Sequence, residues 1–236
     1  MVEVTTLKSG CLASLVPLLT SQNMDWVTID PTDDGWHIQS LSVDKVVMID
    51  VLFDGFDGYA PTGPFVLSMD DFKRIASLPG DVSLDIGPRI VCKAGRMKVT
   101  VPTGLRKSDE SARPVPNLPL STHALFSSEA LKGFAKASDV SAPYCVITVG
   151  DGVTMTAMDE EMGRGMSYEF DGEECTVLDG GCRSAYGLER VRGLFKALPK
   201  DAQVEMALSD DYPVMFHVEV AGWHAKCLIA PCIERD

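Results

Sequence analysis

The 236-residue chain contains a second copy of its own plan. Residues 72–84, FKRIASLPGDVSL, run parallel to residues 193–204, GLFKALPKDAQV, with Leu-Pro-x-Asp repeated at an offset of 120. Upstream, Trp26-Val27-Thr28-Ile29 and the DGWHIQS of residues 34–40 correspond to Tyr144-Cys145-Val146-Ile147-Thr148 and the DGVTMTA of residues 151–157, at offsets of 117 to 118. Two matched pairs in the same order at nearly the same spacing indicate a duplicated unit of roughly 110 to 120 residues. Whatever the first half builds, the second half must build again.

Each half reads as strands wrapped round two short helices, an α+β plan. Apolar alternation at residues 2–7, 26–29, 36–40, 45–53, 66–68, 82–86, 89–93 and 97–101 predicts strands. Leu12, Leu15, Val16 and Leu19 predict a helix over 9–21, which Pro17 should bend or shorten. Residues 54–64 read as a Gly-rich loop. Ser68 opens a second helix, with Asp70 and Asp71 in the first turn where carboxylates suit the helix dipole. The second half follows suit, with helices at 127–138 and 185–198 and strands at 123–126, 144–149, 153–157, 167–170, 174–178, 204–208, 214–220 and 225–229. Between them lies a Pro-rich stretch without periodicity, so the chain divides into 1–107, a linker at 108–120, and 121–236.

A net charge of −13 argues against a nucleic-acid partner only if the charge is spread evenly. It is not. Of 21 Lys and Arg residues, nine fall in or beside the four expected helices: Lys8, Lys73, Arg74, Lys132, Lys136, Arg190, Arg192, Lys196 and Lys200. Lys132 and Lys136 are i,i+4 neighbours, and Arg192, Lys196 and Lys200 continue as a stripe opposite Leu188, Val191, Leu194 and Leu198. Acidic residues cluster elsewhere, at 30–34, 54–57, 159–161 and 171–174. Should the four helices share one surface, an acidic protein would carry a basic lining.

Motifs of chemistry are missing. There is no phosphate loop, no GxSxG, no HExxH and no zinc spacing among the seven scattered cysteines, which read as reduced thiols of an intracellular protein. Residues 30–35 lack the alternating ligands of a calcium loop, and His37, His123, His217 and His224 stand apart. No apolar window is long enough for a membrane span, and Glu3 and Pro17 argue against a secretory leader. The expectation is a binding protein with no catalysis, cofactor, metal or membrane partner. An unrecognised enzyme using His217 or His224 is the distant alternative.

The stretches 34–59, 127–157 and 188–234, the last ending in LIAPCIE, resemble the PCNA family of DNA sliding clamps of archaeal and eukaryotic type. That resemblance implies the DNA-clamp fold: two similar domains, each with two inward helices backed by antiparallel sheets, three chains joined head to tail in a ring round double-stranded DNA. It implies a processivity factor for DNA polymerase, opened by a clamp loader and serving ligase- and nuclease-type proteins with clamp-binding peptide motifs, cytoplasmic in an archaeon and nuclear in a eukaryote. The nine cations would line the hole, Arg74, Lys132, Lys136 and Lys196 foremost. Leu41, Lys45, Val46, Val115, Leu118, Pro213, Leu228, Ile229, Ala230 and Pro231 would form the partner-peptide pocket. The subunit interface would join Arg96, Met97, Lys98, Val99, Thr100 and Val101 to Glu173, Glu174, Cys175, Thr176, Val177 and Leu178. One subunit of a heteromeric or checkpoint-type clamp is the close alternative.

Overall fold

The computed structural model describes residues 5–104, 114–138, 142–159 and 162–232. The expected boundary at 107/108, positions 108–113 of the linker, residues 2–4 of the first strand, 160–161 of an acidic cluster and 233–234 of the tail motif lie outside the described residues. The chain divides into two compact units, one made of residues 1–43, 49–115 and 221–225, the other of 44–48, 116–220 and 226–236.

The first half runs β1 (Thr5–Leu7), α1 (Cys11–Thr20), β2 (Trp26–Thr32), β3 (Gly35–Leu41), β4 (Val47–Phe53), β5 (Phe56–Gly58), β6 (Phe65–Ser68), α2 (Met69–Ala76), β7 (Val82–Ile86), β8 (Arg89–Ala94) and β9 (Met97–Pro102). The second half repeats this element for element: β10 (Thr122–Ser127), α3 (Ser128–Ala137), β11 (Tyr144–Val149), β12 (Val153–Asp159), β13 (Arg164–Phe170), β14 (Cys175–Asp179), β15 (Cys182–Gly187), α4 (Leu188–Ala197), β16 (Gln203–Leu208), β17 (Val214–Val220) and β18 (Trp223–Ile229). Strand order repeats too. The first half holds the runs β5-β1-β7-β8-β9 and β4-β3-β2-β6; the second holds β14-β10-β16-β17-β18 and β13-β12-β11-β15.

Alternation sets which face of each strand is covered. Along β4, Val47, Ile49, Val51 and Phe53 are buried while Met48, Asp50 and Leu52 are half-covered. In the first unit Trp36 meets Phe53, Phe56 and Phe65 at ring separations of 6.1, 5.3 and 5.8 Å, and α1 and α2 pack together behind Leu12, Leu15, Phe72 and Ile75. In the second, Phe195 meets both Phe134, at 6.0 Å, and Phe216, at 5.2 Å. Each such ring, fully covered, is worth about 1.5–3 kcal/mol of transfer free energy.

Three details differ from expectation. Pro17 does not shorten α1, which continues to Thr20 and closes with Ser21 N–H on the Pro17 carbonyl at 3.0 Å. Its ring stands on the exposed side with Ala13, the residue whose carbonyl loses a donor to the proline, so water can serve that carbonyl. Residues 56–58, read as loop, pair with β1. Residues 185–187, read as helix, complete β15, which pairs with β11 from Val149↔Cys182 to Tyr144↔Gly187. The turn before β15 needs Gly180: at φ +75° a Cβ would stand 2.5 Å from the Ser121 carbonyl oxygen.

Candidate nucleic-acid interface

The second unit builds its helix pair from well-defined ends. Ser127 Oγ accepts from Ala130 N–H at 3.2 Å to cap α3, and Ser128 Oγ donates to the Lys200 carbonyl, tying the start of α3 to the chain just beyond α4. Leu131, Phe134 and Ala135 of α3 and Val191, Leu194 and Phe195 of α4 are buried. Opposite them, Lys136 and Lys196 sit exposed in the last turns of their helices, where cations suit the carbonyl end of the dipole, and Lys132 is half-covered one turn before Lys136. Lys200 is exposed beyond α4.

The two arginines of α4 are engaged within the chain. Arg190 Nη2 and Asp44 Oδ2 form an ion pair at 2.5 Å, and Arg192 Nε donates to the Ala135 carbonyl at 3.5 Å, closing the last turn of α3. Nothing in the local sequence could have signalled the first pair, since its partners lie 146 positions apart.

In the first unit α2 is capped by Ser68, whose Oγ accepts from Asp71 N–H at 3.1 Å and donates to Asp71 Oδ2 at 2.7 Å. Arg74 is exposed, and Lys73 reaches back to Asp70 at 3.7 Å. Helix α1 carries no acidic or basic residue in its first or last turn, and Lys8 is exposed ahead of it with its N–H on the Gly55 carbonyl at 2.8 Å. The exposed cations of the described helices thus fall on α2, α3 and α4.

No protein-family model matches the chain. The DNA polymerase sliding clamp of Natronomonas pharaonis is 28% identical over 221 residues, covering 86% of this chain and 88% of that one. The same name is carried by a Haloarcula marismortui protein 23% identical over 90% of this chain and 92% of its own. Among solved structures, A. fulgidus PCNA bound to the C-terminal region of FEN-1 superposes with a TM-score of 0.85 over 99% of this chain and all of that one, at 17% identity. The chain has the fold of PCNA, and over most of its length its sequence is similar to archaeal DNA polymerase sliding clamps.

The residues expected to receive partner peptides are divided between the two units. Leu41 and Val115 fall in the first, where Pro114 and Val115 border a cleft of about 370 Å³ with Asp30, His37, Gln39 and Asp50. Within that cleft Gln39 Nε2 donates to Asp50 Oδ2 at 2.8 Å. In the second unit Ala230 N–H donates to the Val46 carbonyl at 2.9 Å and Pro231 bridges to Tyr186. Leu228 and Ile229 are core residues, so the tail presents Ala230 and Pro231. Pro213 and Leu118 are half-covered, and Lys45 is exposed at φ +61°. Tyr186, its hydroxyl donating to the Tyr212 carbonyl at 2.9 Å, has its pKa pushed up to about 12, chiefly by burial.

The sheet edges are explicit. β9 ends its sheet, with Arg96, Met97, Lys98 and Thr100 exposed, Val99 half-covered and Val101 buried. β14 is terminal beside β10, presenting Thr176 and Leu178, with Val177 half-covered and Cys175 buried. Glu173 is exposed, but Glu174 is held at home: Tyr168 Oη donates to it at 3.0 Å and Asp171 N–H at 3.3 Å. β13, whose edge position the sequence did not announce, is terminal as well.

Proposed function

We propose that three copies of this clamp join head to tail into a ring round duplex DNA, each copy turning α1 to α4 towards the hole. The protein is a DNA sliding clamp, and its work is to keep a polymerase linked to the template. The observation that carries the reading of the lining is that a chain of net charge −13 leaves exposed cations on α2, α3 and α4. Phosphate contacts of this kind are independent of sequence, so a ring that cannot fall off can rely on weak ones and still slide. Lys132, Lys136, Lys196 and Arg74 carry the role best. Lys8, Lys73 and Lys200 add to the field, while Arg190 and Arg192 serve first to fix α4 in place.

Ring closure needs an edge from each unit. Exposed Arg96 and Lys98 at β9 complement Glu173 and neighbouring acids on the β13–β14 side of the next copy, and β13, at seven residues, lengthens that surface beyond residues 173–178. Ala230, Pro231 and Val46, with Leu41, Val115, Leu118, Lys45 and Pro213, would receive partner peptides from polymerase, clamp loader and ligase- or nuclease-type proteins. The clamp itself would catalyse nothing and would work where the cell keeps its DNA.

A second reading, one subunit of a heteromeric ring, is favoured by Glu174. Its carboxylate is already bonded within its own chain, which leaves less charge for self-pairing.

The test is the triple variant Lys132→Ala, Lys136→Ala, Lys196→Ala. Polymerase stimulation on circular DNA should fall, and the log–log salt slope of DNA retention should drop by about 0.9 for each phosphate no longer neutralised, up to roughly 8 for the lysines of three copies, with the oligomeric mass unchanged. Unchanged stimulation removes these lysines from the DNA role.

A further inference from the structure

The fold treats its methionines unevenly. Met24, Met69, Met155 and Met206 are buried, whereas Met97, Met158 and Met162 are 48%, 54% and 61% exposed. Those three stand where sheets end. Met97 is the first residue of β9, the last strand of its sheet; Met158 lies at the end of β12 and Met162 in the turn leading into β13, the last strand of its own. Beside Met158 a cleft of about 530 Å³ opens, with Met166 on its wall. Gly165, also on its wall, lets β13 run close to β12, since a Cβ there would stand 2.9 Å from the Ala157 carbonyl oxygen.

A thioether is soft and apolar and fills an irregular seam well; its sulfoxide is polar, chiral and hydrated. We propose that Met97, Met158 and Met162 form an oxidation site through which peroxide controls the joining of one copy of this chain to the next. The inference rests on the ring reading above, in which β9 of one copy meets the β13–β14 side of another, β13 being reached through the turn that holds Met162. The partner is argued from complementary charge: exposed Arg96 and Lys98 flank Met97, and exposed Glu169 on β13 and Glu173 just beyond it supply acids, Asp159 being balanced by Arg164 opposite it in the β12–β13 register. In the reaction one peroxide oxygen bonds to sulfur as the O–O bond breaks, sulfur being oxidised and the remaining oxygen leaving as water. Three new S=O groups on facing edges must then be desolvated for the edges to close. In the closed ring the thioethers are covered, so the site is open to oxidant in the free or opened subunit.

The experiment uses the full chain diluted to dissociation, treated with hydrogen peroxide, mapped for sulfoxide by peptide mass spectrometry, then reconcentrated for light scattering. Sulfoxide at these three positions should weaken association roughly tenfold or more. Methionine sulfoxide reductases should restore it, and Met97→Leu, Met158→Leu, Met162→Leu should assemble equally with and without peroxide. If the untreated protein never associates, the ring reading falls and this one with it. If untreated protein associates and the sulfoxide-bearing protein associates equally, or the leucine variant is just as sensitive, the oxidation site alone is overturned.

Discussion

Two α4 residues six positions apart have different fates. Arg190 commits its charge to Asp44, while Lys196 faces outward at the helix end. Arg190→Ala should therefore lower stability by about 0.5–1 kcal/mol in urea denaturation, the scale of a partly exposed ion pair, and leave the salt slope of DNA retention unchanged. Titration adds a second residue-scale test. Tyr186 is pushed up to about 12 by burial, Tyr59 to about 12 by burial and then by Asp33, and Cys145 to about 12 by burial. Each is neutral in the folded chain over a range where its unfolded counterpart, ordinary at 9 to 10, has already lost its proton. Their contribution is thus complete below about pH 9 and is lost as pH rises towards 12. Circular dichroism should show alkaline unfolding in that window, and Tyr186→Phe should soften it.

At the scale of elements, the helices whose starts carry a serine cap were legible. Ser68 and Ser127 each accept from the backbone three residues on, and Ser68→Ala or Ser127→Ala should cost about 1 kcal/mol by thermal or denaturant unfolding. α4 has no such signal: Gly187 caps it without a side chain, and CRSAYG ahead of it has too little apolar alternation to be told from a first helical turn. β5 is three residues long, below the length at which periodicity can be counted. The duplication was legible because matched segments keep their order. The role of β13 as an edge was not, because which strand lacks a neighbour is a property of sheet order. The cations could be counted from sequence; the bonds holding Arg190 and Arg192 bring together residues distant along the chain.

For the molecule as a whole, light scattering after size exclusion should give three times the 25.5 kDa of one chain, falling towards one chain on dilution or in high salt if Arg96 and Lys98 contribute to closure. A persistent monomer that assembles only on adding a second clamp subunit would establish the heteromeric reading. Either ring inherits an asymmetry from α1. That helix, CLASLVPLLT, has no charged residue at all, and its exposed side offers Ala13 and Pro17. In the proposed ring, phosphates passing α1 would displace no counterions, while those passing α2, α3 and α4 would. Friction on a travelling duplex would then come in sectors, with one smooth patch for each copy of this chain in the ring.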